Sequence, residues 1–91
     1  MIYVDAAIYA RAGVKSPRKL YAHMVADTFP ELHAFAEKLG VKKHFFHKSK
    51  IAYHYDITSD QQLKAVKAGA KLVSSKDLLT IGKKVTQESL K

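Results

Sequence analysis

Thr28-Phe29-Pro30-Glu31-Leu32-His33-Ala34-Phe35-Ala36-Glu37-Lys38-Leu39-Gly40 reads as one helix from cap to cap. Thr28 offers a side-chain oxygen to the first turn, and Glu31, three residues on, can reach back to complete a capping box. Pro30 is tolerated in that turn, where its missing N–H has no intrahelical partner to lose. Leu32, Phe35, Ala36 and Leu39 recur at i, i+3, i+4 and i+7 and form one apolar stripe. Gly40 follows where a left-handed residue closes a helix. The spacing predicts a helix over 29–39 with one buried side, and such a helix needs a layer to lie on.

The flanks supply the layer. Ile2-Tyr3-Val4 is β-branched and aromatic and stops at Asp5, which predicts a short first strand. Gly13, Ser16 and Pro17 break any long period in the basic stretch 6–17, which reads as a loop. Residues 18–26 read as a short helix carrying Leu20, Met24 and Val25 inward, with His23 and Asp27 four apart on one face. Beyond the central helix, Val41 to His47 reads as a strand with Phe45 or Phe46 in the core, and Lys48-Ser49-Lys50 as a turn. Ile51 to Ile57 then alternates. Ile51, Tyr53, Tyr55 and Ile57 share one face, and Ala52, His54 and Asp56 the other. This stretch either pairs with the preceding one as a hairpin or runs as extended loop.

Thr58 or Ser59, with Gln61 or Gln62 at the box position, starts a second helix that points Leu63 and Val66 inward and ends at Gly69. Lys71-Leu72-Val73 is a short strand, and Ser74 or Ser75 caps a third helix carrying Leu78, Leu79 and Ile81. The order predicts a single compact α/β domain. Its small, mainly parallel sheet has about three core strands, with room for an extra hairpin, flanked by three to four helices. The domain is expected over 1–82, with 83–91 a polar basic tail that frays.

Ninety-one residues hold one core, not two. A core this small makes a homodimer a reasonable expectation. Without cysteine there is no disulfide framework, thiolate zinc site or cysteine nucleophile. No apolar run approaches the roughly 20 residues of a transmembrane helix, and the start lacks a signal-peptide pattern. The expected location is cytoplasmic. Sixteen Lys and Arg against eight Asp and Glu give a net charge of +8. Such an excess concentrates polyanions near the protein, so a nucleotide or nucleic-acid partner is expected.

The five histidines, His23, His33, His44, His47 and His54, all fall before residue 56, interleaved with Asp5, Asp27 and Asp56. Ligands of an open α/β sheet collect outside the carboxyl ends of its strands. Asp5 ends the first strand and His47 the second, while Ser74-Ser75 follow the last. On this topology Asp5, His23, Asp27, His47, His54 and Asp56 converge on one edge as a catalytic set. Imidazole and carboxylate together suit zinc or manganese, and His47, His54 and Asp56 are the expected metal ligands. Without metal, a His-Asp pair can run acid–base catalysis, the carboxylate fixing the imidazole tautomer. Arg11, Lys15, Arg18, Lys19, Lys42, Lys43, Lys48 and Lys50 would hold an anion. On spacing alone His33 reads as a packing residue, His44 as exposed, and Tyr53 and Tyr55 as core. No dinucleotide, P-loop, zinc-protease or nucleophile-elbow motif is present.

Tyr3-Val4-Asp5, His23 with Asp27-Thr28, Glu31-Leu32-His33-Ala34-Phe35-Ala36, Leu39-Gly40, Phe46-His47, His54-Tyr55-Asp56, Ala65, Gly69-Ala70 and Val73-Ser74 together form a recognisable pattern. It resembles the domain-of-unknown-function family 4031 of bacteria and phages, over about residues 2–79. Glu31-Leu32-His33 and His54-Tyr55-Asp56 are its most specific parts. The resemblance brings no activity. It implies that the polar positions are what the pattern is written around, and it lifts His33, with Glu31, to supporting positions behind the site. The expected function is recognition of a phosphate-bearing ligand, extending to metal-dependent phosphoester hydrolysis. The alternative is a non-enzymatic module of a phage or bacterium that binds nucleic acid or a host protein.

Overall fold

A computed structural model describes residues 1–6, 9–10, 20–49 and 51–89. The central helix forms as its spacing dictates: α1 runs Phe29–Leu39. Thr28 Oγ1 accepts from the Glu31 N–H at 3.3 Å. Gly40 closes the helix at φ 80° and ψ 20°, a left-handed conformation that a side chain would strain. The reciprocal half of the capping box is replaced: Glu31 accepts instead from the Met1 ammonium at 2.6 Å.

The described strands are β1 (Ile2–Val4), β2 (Tyr9–Ala10), β3 (Leu20–Ala26), β4 (Phe46–Lys48), β5 (Tyr53–Thr58) and β6 (Lys71–Leu72). They make one sheet in the order β4-β5-β3-β1-β6, with β2 also paired to β3. Only β1 with β6 is parallel; β1–β3, β2–β3, β3–β5 and β4–β5 are antiparallel. The domain is α/β, but the expectation of a mainly parallel sheet is overturned. The cause lies at residues 18–26, expected as a helix. From Leu20 they are the central strand, buried on both faces from Tyr21 to Ala26 except at half-buried His23. A strand buried on both sides loses the alternation that would reveal it. With a strand there instead of a crossover helix, the chain returns antiparallel to β1. The alternating 51–57 stretch is the second half of a hairpin with β4, preceded by a single 3-10 turn at Lys43–Phe45.

Alternation then sorts the two faces. Ile2, Val4, Ala22, Met24, Tyr55 and Ile57 join Leu32 and Ala36 of α1 in one buried cluster. Helix α2 (Ser59–Lys67) covers the same face, capped by a full Thr58–Gln61 box. It packs through Ala65, whereas Leu63 and Val66, expected inward, are exposed. Helix α3 (Ser75–Ser89) lies on the opposite face. A Cβ on Gly82 would sit 3.0 Å from Ala52 Cβ and 3.3 Å from Val25 Cγ1, so α3 approaches the sheet closely there. Val85 and Thr86 are buried. Residues 83–89 are therefore part of the fold and not a frayed tail. Leu78 points inward as expected, but Leu79 is exposed. A radius of gyration of 12.1 Å is that of one domain of this length. No helix among the described residues is long and apolar enough to cross a membrane.

Candidate functional site

Because Met24, Tyr55 and Ile57 fill the α1 side, their neighbours His23, His54 and Asp56 must face the α3 side. Register completes the grouping: His23 is paired with Asp56 across β3 and β5, and His47 with His54 across β4 and β5. Asp5 follows β1 and donates its N–H to the His23 carbonyl at 3.3 Å. Asp5, His23, His47, His54 and Asp56 thus form a row across four neighbouring chain segments, near the start of α3. The sequence places the convergence at the carboxyl edge of parallel strands. It occurs instead on one face of the sheet, across the antiparallel neighbours β4, β5, β3 and β1.

Asp5 is fully buried. Its Oδ1 accepts from the His23 N–H at 2.6 Å, and its Oδ2 lies 2.8 Å from His23 Nδ1. Ser75 donates its hydroxyl to the same Oδ2 at 3.1 Å. Three donors compensate the loss of water around the carboxylate. The start of α3 adds the positive end of a helix dipole. Gln62 further holds the Asp5 carbonyl, donating from Nε2 at 3.2 Å. An ionised carboxylate only accepts, so His23 carries its proton on Nδ1 and enters the cluster through Nε2.

His54 is held differently. Its Nδ1 lies 3.0 Å from the Ala52 carbonyl, and its Nε2 lies 3.2 Å from Asp56 Oδ1. Both nitrogens face acceptors, so the ring carries two protons or a cation takes the place of the one on Nε2. Asp56 Oδ2 in turn lies 2.9 Å from His47 Nε2. Burial, the largest single influence on His54, disfavours its charge. The hydrogen bonds to Asp56 and Ala52 and the charges of Asp56 and Asp5 outweigh it, so His54 titrates above the ordinary imidazole value. Burial likewise raises Asp56, but the hydrogen bond from His54 and the charges of His54, His47 and His23 hold it below the usual carboxylate value.

His23, His54 and Asp56 each present a donor atom within 4.8 Å of the others. Two imidazoles and a carboxylate are a ligand set for zinc or manganese that leaves positions open. The set expected from sequence was His47, His54 and Asp56; the donor atoms grouped most closely are those of His23, His54 and Asp56, and His47 bonds the second oxygen of Asp56. Beside the cluster opens a cleft of about 240 Å³. His23, His54, Ser49 and Ser75 line it together with Ile51 and Leu79.

The other expected site residues lie elsewhere. Asp27 is at the far end of β1, 3.3 Å from the Met1 ammonium and 3.2 Å from the Tyr3 hydroxyl. Glu31 is beside it. In a helix, Asp27 would have stood one turn from His23; in a strand the two are about 13 Å apart. His33 is on the α1 face, with Nδ1 2.7 Å from the Tyr55 hydroxyl. His44 is exposed in the 3-10 turn. Lys42, Lys43 and Lys48 line cavities with His33 and Tyr55 on that same α1 face, away from the cluster. Arg11, Lys15, Arg18, Lys19 and Lys50 lie outside the described residues. Sequence reasoning missed the donor role of Ser75 and the Ala52 carbonyl. Two adjacent serines where one suffices as a cap were the available signal: Ser74 Oγ caps Asp77 at 3.1 Å, which leaves Ser75 for Asp5.

The family model of a protein of unknown function, DUF4031, matches residues 2–85. The chain belongs to that family. No curated protein and no solved structure matches it. The matched span includes every residue of the His/Asp row, so the row lies wholly within the DUF4031 domain.

Proposed function

We propose that this DUF4031 protein is a divalent-metal-dependent hydrolase of a phosphate-bearing substrate, with the ion held by His23, His54 and Asp56. The observation that carries the reading is the grouping of three donors within 4.8 Å, each steadied by its own partner. Asp5 fixes the tautomer of His23, the Ala52 carbonyl fixes that of His54, and His47 holds the outer oxygen of Asp56. Ligands oriented in this way are characteristic of metal sites. A bound zinc or manganese ion would supply a water activated near neutral pH and charge compensation for a phosphoryl oxygen.

The remaining work falls to the chain. The cleft bounded by Ile51 and Leu79 excludes water from one side of a substrate. Ser49 and Ser75 stand at its polar side, the first donating to the Ala52 carbonyl at 2.6 Å and the second to Asp5 Oδ2 at 3.1 Å, so both steady the groups that orient His54 and His23. His47, the most exposed imidazole of the row, lies on the outer side of Asp56 with Nε2 2.9 Å from its Oδ2. The net charge of +8 favours a phosphate-bearing substrate by raising its local concentration.

The test is metal analysis of the purified chain, titration with zinc and manganese, and turnover of a simple phosphodiester. One ion per chain is expected. His54→Ala and Asp56→Ala should each lower affinity by more than the roughly 10–100-fold caused by removing a group behind a ligand, and should abolish turnover. Absence of binding, or turnover untouched by both substitutions, overturns the reading.

A further inference from the structure

The described lysines that were expected beside the metal ligands gather on the other face of the sheet. Two cavities of about 580 and 320 Å³ adjoin there, sharing His33, Lys43 and Tyr55. Lys42 and Glu37 line one, and Phe46 and Lys48 the other. Together they form a groove between α1 and β4. Neighbouring residues of β5 point to opposite faces, so Tyr55 opens on this groove while His54 belongs to the metal cluster.

The groove combines two chemistries. Lys42, Lys43 and Lys48 are exposed, and among the described residues none of them is ion-paired. Against them stands a wall of locked rings. The His33 and Phe46 centroids are 4.8 Å apart, and those of Phe46 and Tyr55 are 5.0 Å apart. The bond of 2.7 Å between His33 and the Tyr55 hydroxyl fixes that corner. Burial and the charge of Lys43 lower the affinity of His33 for a proton, so at neutral pH it is one more uncharged ring. Lysines alone would suit any polyanion, and rings alone any apolar group. Cationic side chains along a groove with aromatic faces are the combination that holds nucleotides, phosphate on the charge and base on the ring.

We propose that the groove between α1 and β4 binds a nucleotide unit, its phosphate on Lys42, Lys43 and Lys48 and its base against Phe46 and His33. The site is separate from the metal cluster and does not depend on the hydrolase reading.

Fluorescence anisotropy with a labelled single-stranded 12-mer tests it, with AMP and polyglutamate as competitors. The triple variant Lys42→Ala/Lys43→Ala/Lys48→Ala should bind at least about tenfold more weakly. Its log–log salt slope should flatten by about 2, at roughly 0.7 per lost phosphate contact. Phe46→Leu keeps apolar packing but removes the ring, and should weaken binding about tenfold with the slope unchanged. Lys64→Ala/Lys67→Ala on α2 should bind as the wild type does, and so should the wild type in chelator; the latter separates this site from the metal reading. Displacement by AMP would show that free nucleotides are the ligand, and displacement by oligonucleotide alone that single strands are. Wild-type binding by the triple variant overturns the proposal, as does equal loss in the α2 control or equal displacement by polyglutamate.

Discussion

Asp5 grips His23 twice, accepting from its backbone N–H at 2.6 Å and engaging its Nδ1 at 2.8 Å. The first contact ties β1 to β3, and the second sets which ring nitrogen faces Asp56. One buried carboxylate therefore joins sheet pairing to ligand orientation. Asp5→Asn keeps the size of the side chain but replaces one acceptor with an NH₂ that cannot accept from either His23 or Ser75. Zinc affinity should fall roughly 10–100-fold, as for other groups behind a metal-bound histidine, and by less than in His23→Ala. Competition with a chelator of known affinity measures this. Unchanged affinity in a folded Asp5→Asn protein would reduce Asp5 to a structural role.

Stability without metal should peak between the ordinary values of the two partners, 3.8 for Asp56 and 6.5 for His54. For His54, burial opposes the charge, but Asp56, Ala52 and Asp5 raise its value in the folded state. Its contribution is complete below 6.5 and is lost as pH rises through the raised value. For Asp56, burial opposes the charge, but His54, His47 and His23 lower its value. Its contribution is complete above 3.8 and is lost as pH falls through the lowered value. Melting curves in chelator should show both declines, and Asp56→Asn should flatten both. Zinc should reverse the alkaline limb, because binding requires the proton to leave His54 Nε2 and so strengthens as pH rises. Parallel pH profiles for the wild type and Asp56→Asn would refute this coupling.

The parts of the fold that can be read locally are those whose signals are local. Thr28 to Gly40 carries its cap, stripe and stop within one stretch, and Thr58 with Gln61 does the same for α2. The membership of Asp5, His23, His47, His54 and Asp56 in one site is also visible, as clustered imidazoles and carboxylates. Their exact arrangement depends on strand pairing, which is non-local. Reading 18–26 as a helix made Asp27 a neighbour of His23; as a strand, that segment makes Asp56 the neighbour instead. The expected metal set joined His47 to His54 and Asp56, whereas the three donor atoms that lie together are those of His23, His54 and Asp56. Leu63 and Val66 show the opposite limit. They have the spacing of an inward face, yet α2 approaches the sheet through the small Ala65, and tertiary packing decides.

Thr86 shows why the C-terminal stretch reads as a tail although it is part of the fold. It is buried, donates to the Gly82 carbonyl at 2.7 Å and accepts from the Tyr53 N–H at 2.9 Å. A polar residue in a polar stretch gives no sign of such a partner. Thr86→Val keeps the shape and removes the acceptor, leaving the β5 N–H without one. An orphaned buried donor costs about 1–3 kcal/mol. Thr86→Ser, which keeps the hydroxyl, should lose less. Denaturant midpoints rank the three proteins, and amide exchange at Tyr53 should quicken in Thr86→Val alone.

Gly82 is the tightest point between α3 and the sheet, and it faces the residue whose carbonyl holds His54. The Cβ of an alanine there would lie 3.0 Å from Ala52 Cβ, an atom fixed to the backbone and unable to swing aside, and 3.3 Å from Val25 Cγ1. Alanine gains up to about 1 kcal/mol in helix propensity, but forcing a methyl group into a filled contact costs about 1–3 kcal/mol. The net should be a loss of about 1 kcal/mol, which for a domain of this size lowers Tm by roughly 4–8 °C. The strain falls on Ala52, so Gly82→Ala should also weaken zinc binding by displacing the carbonyl 3.0 Å from His54 Nδ1. Adding Ala52→Gly removes the opposing methyl and should recover both Tm and affinity. Recovery of Tm without affinity would show that the Ala52 carbonyl does not position His54. Recovery of neither would place the clash at Val25 instead, where Val25→Ala in the Gly82→Ala background should then restore the fold.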